Sequence, residues 1–241
     1  MVRTFMWSGA MLSAAFGIAA LLGARGLTGG DAASTVVLPA PQLDESSVSG
    51  AGEQVAVLSG GCFWGMQMVF EHVKGVTGVT AGYTGGAART ANYDEVSTGA
   101  TGHAESVRIT FDPSQVTYGQ LLQVFFGVAH DPTELDRQGP DEGTQYRSAI
   151  WTTTPDQERI AKAYIAQLTV TKVFHKPIVT QVLPLHGFYP AEGYHQDYGL
   201  HNPGAPYILI NDAPKVAQLR ERFPKLYREA PVTYVARAQS E

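Results

Sequence analysis

The sequence predicts an α+β fold, a sheet layered with helices. Apolar runs of strand type interleave with runs of helical period, without the regular rhythm of repeated βαβ units. No glycine-rich phosphate fingerprint follows any strand, which sets the doubly wound nucleotide folds aside. With 241 residues, 44% of them hydrophobic, the chain is long enough for one sizeable domain with appendages. Seventeen Lys and Arg against 22 Asp and Glu leave no basic excess to neutralise a phosphate backbone, so nucleic acid is disfavoured as a partner.

The elements follow in order. Arg3 precedes an uncharged apolar run from Thr4 to Ala24, closed by Arg25. Residues 1–30 therefore read as a cleaved export signal, with residues 4–24 as an uncleaved membrane anchor the alternative. Export to the periplasm is the expectation. Residues 31–52, with Pro39, Pro41 and a Ser/Gly cluster, read as a flexible linker. The domain is expected over 53–228, followed by a tail at 229–241. It opens with a strand at Val55–Ser59 that feeds directly into a helix from Phe63 to about His72, where Phe63, Met66, Val69, Phe70 and Val73 keep near a 3.6-residue period. A turn and strand at Gly75–Tyr83, a loop at Gly85–Asn92 and an alternating strand at Ala104–Phe111 come next. Tyr118–Ala129 reads as helix, and Asp131–Thr144, with Pro, Gly and five acids, as a long functional loop. Strand resumes at Tyr146–Thr152. Thr154-Pro155-Asp156-Gln157 supplies a cap, a first-turn proline and a glutamine for a helix running to about Val170. A strand at Ile178–Leu183, an aromatic-rich stretch at Phe188–Asn211 and a last helix to about Lys225 complete the chain.

The chemistry centres on Gly60-Gly61-Cys62-Phe63-Trp64-Gly65, where a strand ends in a glycine turn and the chain's single cysteine arrives at a helix start. Free N–H groups and the helix dipole there are expected to lower the thiol's pKa and supply a nucleophile. A lone cysteine is more often a small buried hydrophobe; the glycines and the helix-start position favour reactivity. Consecutive Phe63 and Trp64 point in different directions, so one packs in the helix interface and the other faces elsewhere. In the strand after Gly102, alternation puts Glu105 on one face with Val107, Ile109 and Phe111. A carboxyl on an apolar face is expected to stay protonated as a general acid, unless it pairs with a cation or reaches solvent. His103 could orient it or be a structural histidine.

Gly61-Cys62-Phe63-Trp64-Gly65, Ala81-Gly82-Tyr83-Thr84-Gly85-Gly86, Thr101-Gly102-His103-Ala104-Glu105, His130-Asp131-Pro132, Gly143-Thr144-Gln145-Tyr146-Arg147-Ser148 and Tyr194-His195-Gln196-Asp197-Tyr198 occur in this order. Together they resemble the peptide methionine sulfoxide reductases of the A type, and the resemblance spans about Val55 to Asn211. It implies a two-layer α/β plait with a ferredoxin-like core and long aromatic-rich loops. It further implies Cys62 as nucleophile, Glu105 as acid, Tyr93 and Tyr146 as hydrogen-bond donors to the sulfoxide oxygen, Phe63 with Trp64 as the methyl pocket, and Asp141, His195 and Tyr198 as the polar wall. Substrates would be free methionine S-sulfoxide and oxidised proteins or peptides carrying it, bound by a monomer. No metal and no cofactor are expected.

Many relatives carry further cysteines that resolve the sulfenic acid product; this chain has none. Recycling is therefore expected from an external thiol, thioredoxin-like, glutaredoxin-like or small. Two rival classes remain. A cysteine hydrolase would pair Cys62 with His103 or His195 as base. A non-catalytic module would use the aromatics to bind a methylated or methionine-bearing peptide and need neither thiol nor buried acid.

Overall fold

The computed structural model describes residues 38–45 and 52–234. The export segment expected at 1–30 lies outside them, as do parts of the linker and tail. Among the described residues no helix is long and apolar enough to cross a membrane.

Strand β1 (Gln54–Ser59) passes through Gly60, Gly61 and Cys62 into helix α1 (Phe63–Glu71). Then come β2 (Val76–Thr84), β3 (Ala104–Phe111) and α2 (Tyr118–Val124), whose end widens into a π-helical turn at Phe125–Ala129. The second half contributes β4 (Ala149–Thr152), α3 (Pro155–Thr171), β5 (Gln181–Pro184), β6 (Phe188–Pro190) and α4 (Ala213–Arg222). The architecture is mixed α/β around a six-stranded sheet of order β5-β4-β1-β3-β2-β6, antiparallel except for the β4–β5 pair. The expected loop at 131–144 contains a small ladder pairing Arg137–Gln138 with Asp141–Glu142. Helix α3 starts as its sequence dictates: the Thr154 hydroxyl accepts from Gln157 N at 3.1 Å, one of the bonds a helix start otherwise lacks.

Strand β1 lies between β3 and β4, and an apolar layer covers each of its faces, so Val55-Ala56-Val57-Leu58 is apolar without alternation. Ala56 and Leu58 join the main core with Val69 and Phe70 of α1, Val107, Ile109 and Phe111 of β3, and Leu121, Phe125, Ile160 and Tyr164 from the later helices. The opposite face carries a thinner layer, Val57, Ala104, Ala149 and Trp151. Guanidinium groups roof it, Arg108 5.3 Å above the Phe188 ring and Arg147 5.5 Å above Trp151. Glu105 has the same parity as Val107 and so points into the main core.

Residues 38–45 correct the linker expectation. The Leu38 side chain is buried, the Gln123 and Gln167 amides donate to Leu38 O and Ala40 O, and the Tyr164 hydroxyl donates to Pro39 O at 2.8 Å. Asp44 accepts from the Thr117 hydroxyl and from Gly119 N, adding a second acceptor to the start of α2. Composition alone reads prolines as a break; one buried leucine and these bonds hold the stretch down.

Asp44→Ala should lower the unfolding free energy by about 1–3 kcal/mol, as expected when two donors at a helix start lose their charged acceptor. A chemical denaturation midpoint indistinguishable from wild type would refute this.

Candidate active site

The β1–β3 register brings the site together. Leu58 pairs with Val107, so the chain leaving β1 toward Cys62 runs past the strand position of Glu105, and the Ser59 and Ser106 hydroxyls meet at 2.6 Å. The intervening turn requires glycine. Gly61 has φ +90°, and a Cβ there would lie 2.5 Å from Gln138; one on Gly60 would lie 2.9 Å from the His130 ring. Gln138 is itself tied to Asp131 N and O, so the loop that carries Asp141 packs onto the turn.

Cys62 is the N-cap residue of α1, but its side chain makes no capping bond to the helix. Phe63 N, the first free donor of the helix, gives its proton instead to Glu105 Oε2 at 2.9 Å. Glu105 is 3% exposed. Burial pushes its carboxyl up to about 8, the Phe63 N–H opposing and Asp141 adding to the rise, so it is protonated at neutral pH, as its strand position predicts.

The thiol departs from expectation. Burial, then the Glu105, Asp212 and Asp141 carboxylates, push Cys62 well above its ordinary value, with only the Trp64 N–H pulling down. A helix N-terminus offers about half a charge, which does not offset desolvation with three carboxyls nearby. Cys62 is therefore held as a thiol at neutral pH.

The other predicted residues gather around this pair. Phe63 is fully buried, its ring 5.7 Å from Tyr83 and 5.0 Å from His195. Half-buried Trp64 stacks on Tyr198 at 3.8 Å and meets Tyr207 edge-on. So Phe63 is the packing member of the pair and Trp64 the open one. Tyr93 and Tyr146 are half-buried, and burial followed by Glu105 raises both phenols; they remain neutral donors. His195 Nδ1 accepts from the Trp64 indole at 3.1 Å, and burial lowers its pKa. His103 is engaged by Gly86 N and Ala87 O, so it does not orient Glu105. His103 is thus committed away from Cys62, which removes one of the two bases of the hydrolase alternative, whereas His195 is engaged through Nδ1 and its buried Nε2 has no hydrogen-bond partner among the described residues.

Three residues were not singled out from sequence. The Tyr207 hydroxyl donates to Asp141. Glu192 accepts from Tyr93 N at 2.9 Å and from the Tyr83 hydroxyl at 2.8 Å, fixing the Tyr93 turn. Asp212, fully buried against Gly65, pairs with Lys215 at 3.2 Å. Its sequence signal, Asn-Asp-Ala-Pro, reads only as a helix start.

A buried neutral acid and the chain's single thiol lie together among phenols and an indole, a candidate site for thiol chemistry. Comparison with known proteins gives the class. The family described as peptide methionine sulfoxide reductase matches residues 54–227. The peptide methionine sulfoxide reductase MsrA 2 of Mesorhizobium japonicum is 57% identical over 190 residues, 79% of this chain and 96% of the relative. MsrA of Deinococcus radiodurans is 48% identical over 72% of this chain and 84% of the relative. Among solved structures, methionine sulfoxide reductase A of Corynebacterium diphtheriae has a TM-score of 0.55 at 37% identity, covering 69% of this chain and 84% of that one. Reduced Mxr1 of Saccharomyces cerevisiae has a TM-score of 0.58 at 29% identity, covering 66% and 94%. The chain belongs to the peptide methionine sulfoxide reductase family. It is an oxidoreductase that reduces peptide methionine S-sulfoxide, a protein-repair activity.

In the unliganded enzyme, alkylation of Cys62 by iodoacetamide should keep accelerating as pH rises past 9. A plateau near neutrality would show a thiolate and overturn the electrostatic argument.

Proposed function

We propose that Cys62 attacks the sulfoxide sulfur while Glu105 gives its proton to the departing oxygen. The observation that carries this reading is the Phe63 N–H to Glu105 bond, which holds a neutral buried acid at the start of the helix that carries the thiol. The first half-reaction balances within the site: Cys62 Sγ bonds to the substrate sulfur, the protonated oxygen passes to Sγ as the substrate S–O and the S–S bonds break, and Cys–SH and R₂S=O become Cys–SOH and R₂S. The substrate sulfur gains two electrons and Cys62 loses two, and the thiol proton replaces the one that Glu105 gives up. Sulfoxide bonded to neutral donors becomes more electrophilic, so a high resting pKa does not prevent attack once substrate fills the site.

Tyr93 and Tyr146 donate to the sulfoxide oxygen without adding charge. Trp64, with Phe63 behind it, supplies the apolar surface for the substrate methyl. Tyr198 and His195 hold the indole by stacking and by a hydrogen bond, and Asp141 is held by Tyr207. The strand order β4-β1-β3-β2, reached as β-α-β-β-α-β, supports a ferredoxin-like plait as the fold beneath these loops. The sulfenic acid is then reduced by two equivalents of an external thiol, thioredoxin-like, glutaredoxin-like or small, giving a disulfide and water. Cys62 being the chain's single cysteine supports this route.

Incubated with a methionine sulfoxide peptide and no reductant, the enzyme should yield one methionine per chain and gain one oxygen on Cys62 by intact mass. Two methionines per chain would overturn the scheme, as would appreciable turnover by Cys62→Ser.

Glu105→Gln keeps a donor but has no transferable proton, so sulfenic acid formation should slow by about 10²-fold or more. In the wild type this step should fall as pH rises through about 8, where Glu105 ionises. A descending limb retained in the Gln variant would assign that limb to another group.

A further inference from the structure

The segment after α4 is bonded back to the domain. Lys74 N donates to Leu226 O at 2.7 Å, Arg228 N to His72 O at 2.8 Å and Val232 N to Glu71 O at 3.0 Å. Val73 and Tyr227 form an antiparallel bridge, and the Tyr227 ring stacks on His72. The final described residue completes the series: Tyr234 N reaches both Asp197 carboxylate oxygens, at 3.0 and 2.9 Å.

Asp197 lies in the chain between His195 and Tyr198, which hold Trp64. It is 6% exposed and has φ +52°, a conformation that a residue with a side chain keeps only when its surroundings enforce it. Gln67, on the helix that begins at Cys62, grips it from the other side: Nε2 donates to Asp197 Oδ1 at 3.2 Å and Oε1 accepts from Asp197 N at 3.0 Å. Neighbouring Gln196 is fixed to Ala81 N and O on β2. Glu71, fully buried beneath the strap, lies beside the Asp197 carboxylate. Burial, then Asp197, push it up to about 10, so it adds no charge there.

We propose that the backbone N–H of Tyr234 positions Asp197, and through it the His195–Tyr198 wall against Trp64, making residues 226–234 a strap that sets how firmly the sulfoxide-bearing side chain is held. The inference rests on that wall being the substrate surface. The strap touches neither Cys62 nor Glu105, so it acts on binding and not on the chemical step. Tyr234 is a positioning residue through its main chain, which is why no side-chain motif marks it.

The test compares Tyr234→Pro, which removes the N–H, with Tyr234→Phe, which keeps it, both in the full chain. Tyr234→Pro should raise KM for a methionine sulfoxide peptide about tenfold, the equivalent of one lost hydrogen bond, with kcat within about twofold. Tyr234→Phe should match wild type. Asp197→Asn, which replaces one acceptor oxygen with a donor amide and leaves the strap's sequence intact, should also raise KM selectively. Unchanged KM in Tyr234→Pro, or a loss confined to kcat, overturns the proposal; so does equal impairment in Tyr234→Phe. Tyr198→Ala reads the wall itself. A raised KM there with a normal Tyr234→Pro rejects the strap alone, whereas a wild-type KM in Tyr198→Ala rejects the wall assignment and the strap's role with it.

Discussion

The bond from Phe63 N to Glu105 joins the two halves of the site in one contact. The donor belongs to the first turn of α1, where helical geometry leaves the N–H without an internal partner; the acceptor belongs to a core-facing position of β3. The bond therefore fixes the thiol's helix and the acid's strand to each other, and both inherit the rigidity of a sheet whose β1 and β3 are immediate neighbours. The surrounding loops are arranged about this contact. The 131–144 segment packs on the glycine turn through Gln138, and Glu192 reaches across to the Tyr93 turn. The acid is raised by the same burial that makes the contact inaccessible to water, so removing the sheet's cover would remove the acid's proton as well.

The electrostatics of the site oppose a thiolate. Burial is the largest cause of the raised Cys62 pKa, and the carboxyl groups of Glu105, Asp212 and Asp141 add to it. A cysteine held as thiol is a poor target for adventitious oxidants, which suits an enzyme whose single cysteine has no thiol in the same chain to rescue it. In the proposed reaction, activation depends on the substrate supplying the electrophile and accepting the proton. The phenols at Tyr93 and Tyr146, raised as well, remain donors over the working pH range.

Much of the architecture was legible because it follows from local rules. The alternation of Ala104–Phe111 gave the face of Glu105, and Thr154-Pro155 gave the start of α3. The Phe63–Trp64 pair had to split between core and site. What escaped was non-local. The Cys62 pKa depended on Asp212, more than 100 residues away and written in the sequence only as a helix start. Tyr207 stood in a Pro/Gly stretch with no period, where nothing local indicates that its hydroxyl meets Asp141. The 38–45 stretch has linker composition and is nevertheless docked, because its partners Gln123, Tyr164 and Gln167 lie on helices far along the chain.

Glu71 has a consequence that reaches past the active site. It and Glu105 carry protons in the folded chain up to about pH 10 and about pH 8, whereas in an unfolded chain both would ionise near 4.5. At neutral pH folding therefore takes up a proton at each. For a raised carboxyl the contribution to stability is fully present below its unfolded pKa and is lost as pH rises through its folded one. In respect of these two groups the domain is most secure in mild acid and weakens steadily toward alkaline conditions. One acid kept protonated beside Cys62 and a second kept protonated beneath the strap give folding two points of proton uptake, so its stability is coupled to the acidity of its surroundings.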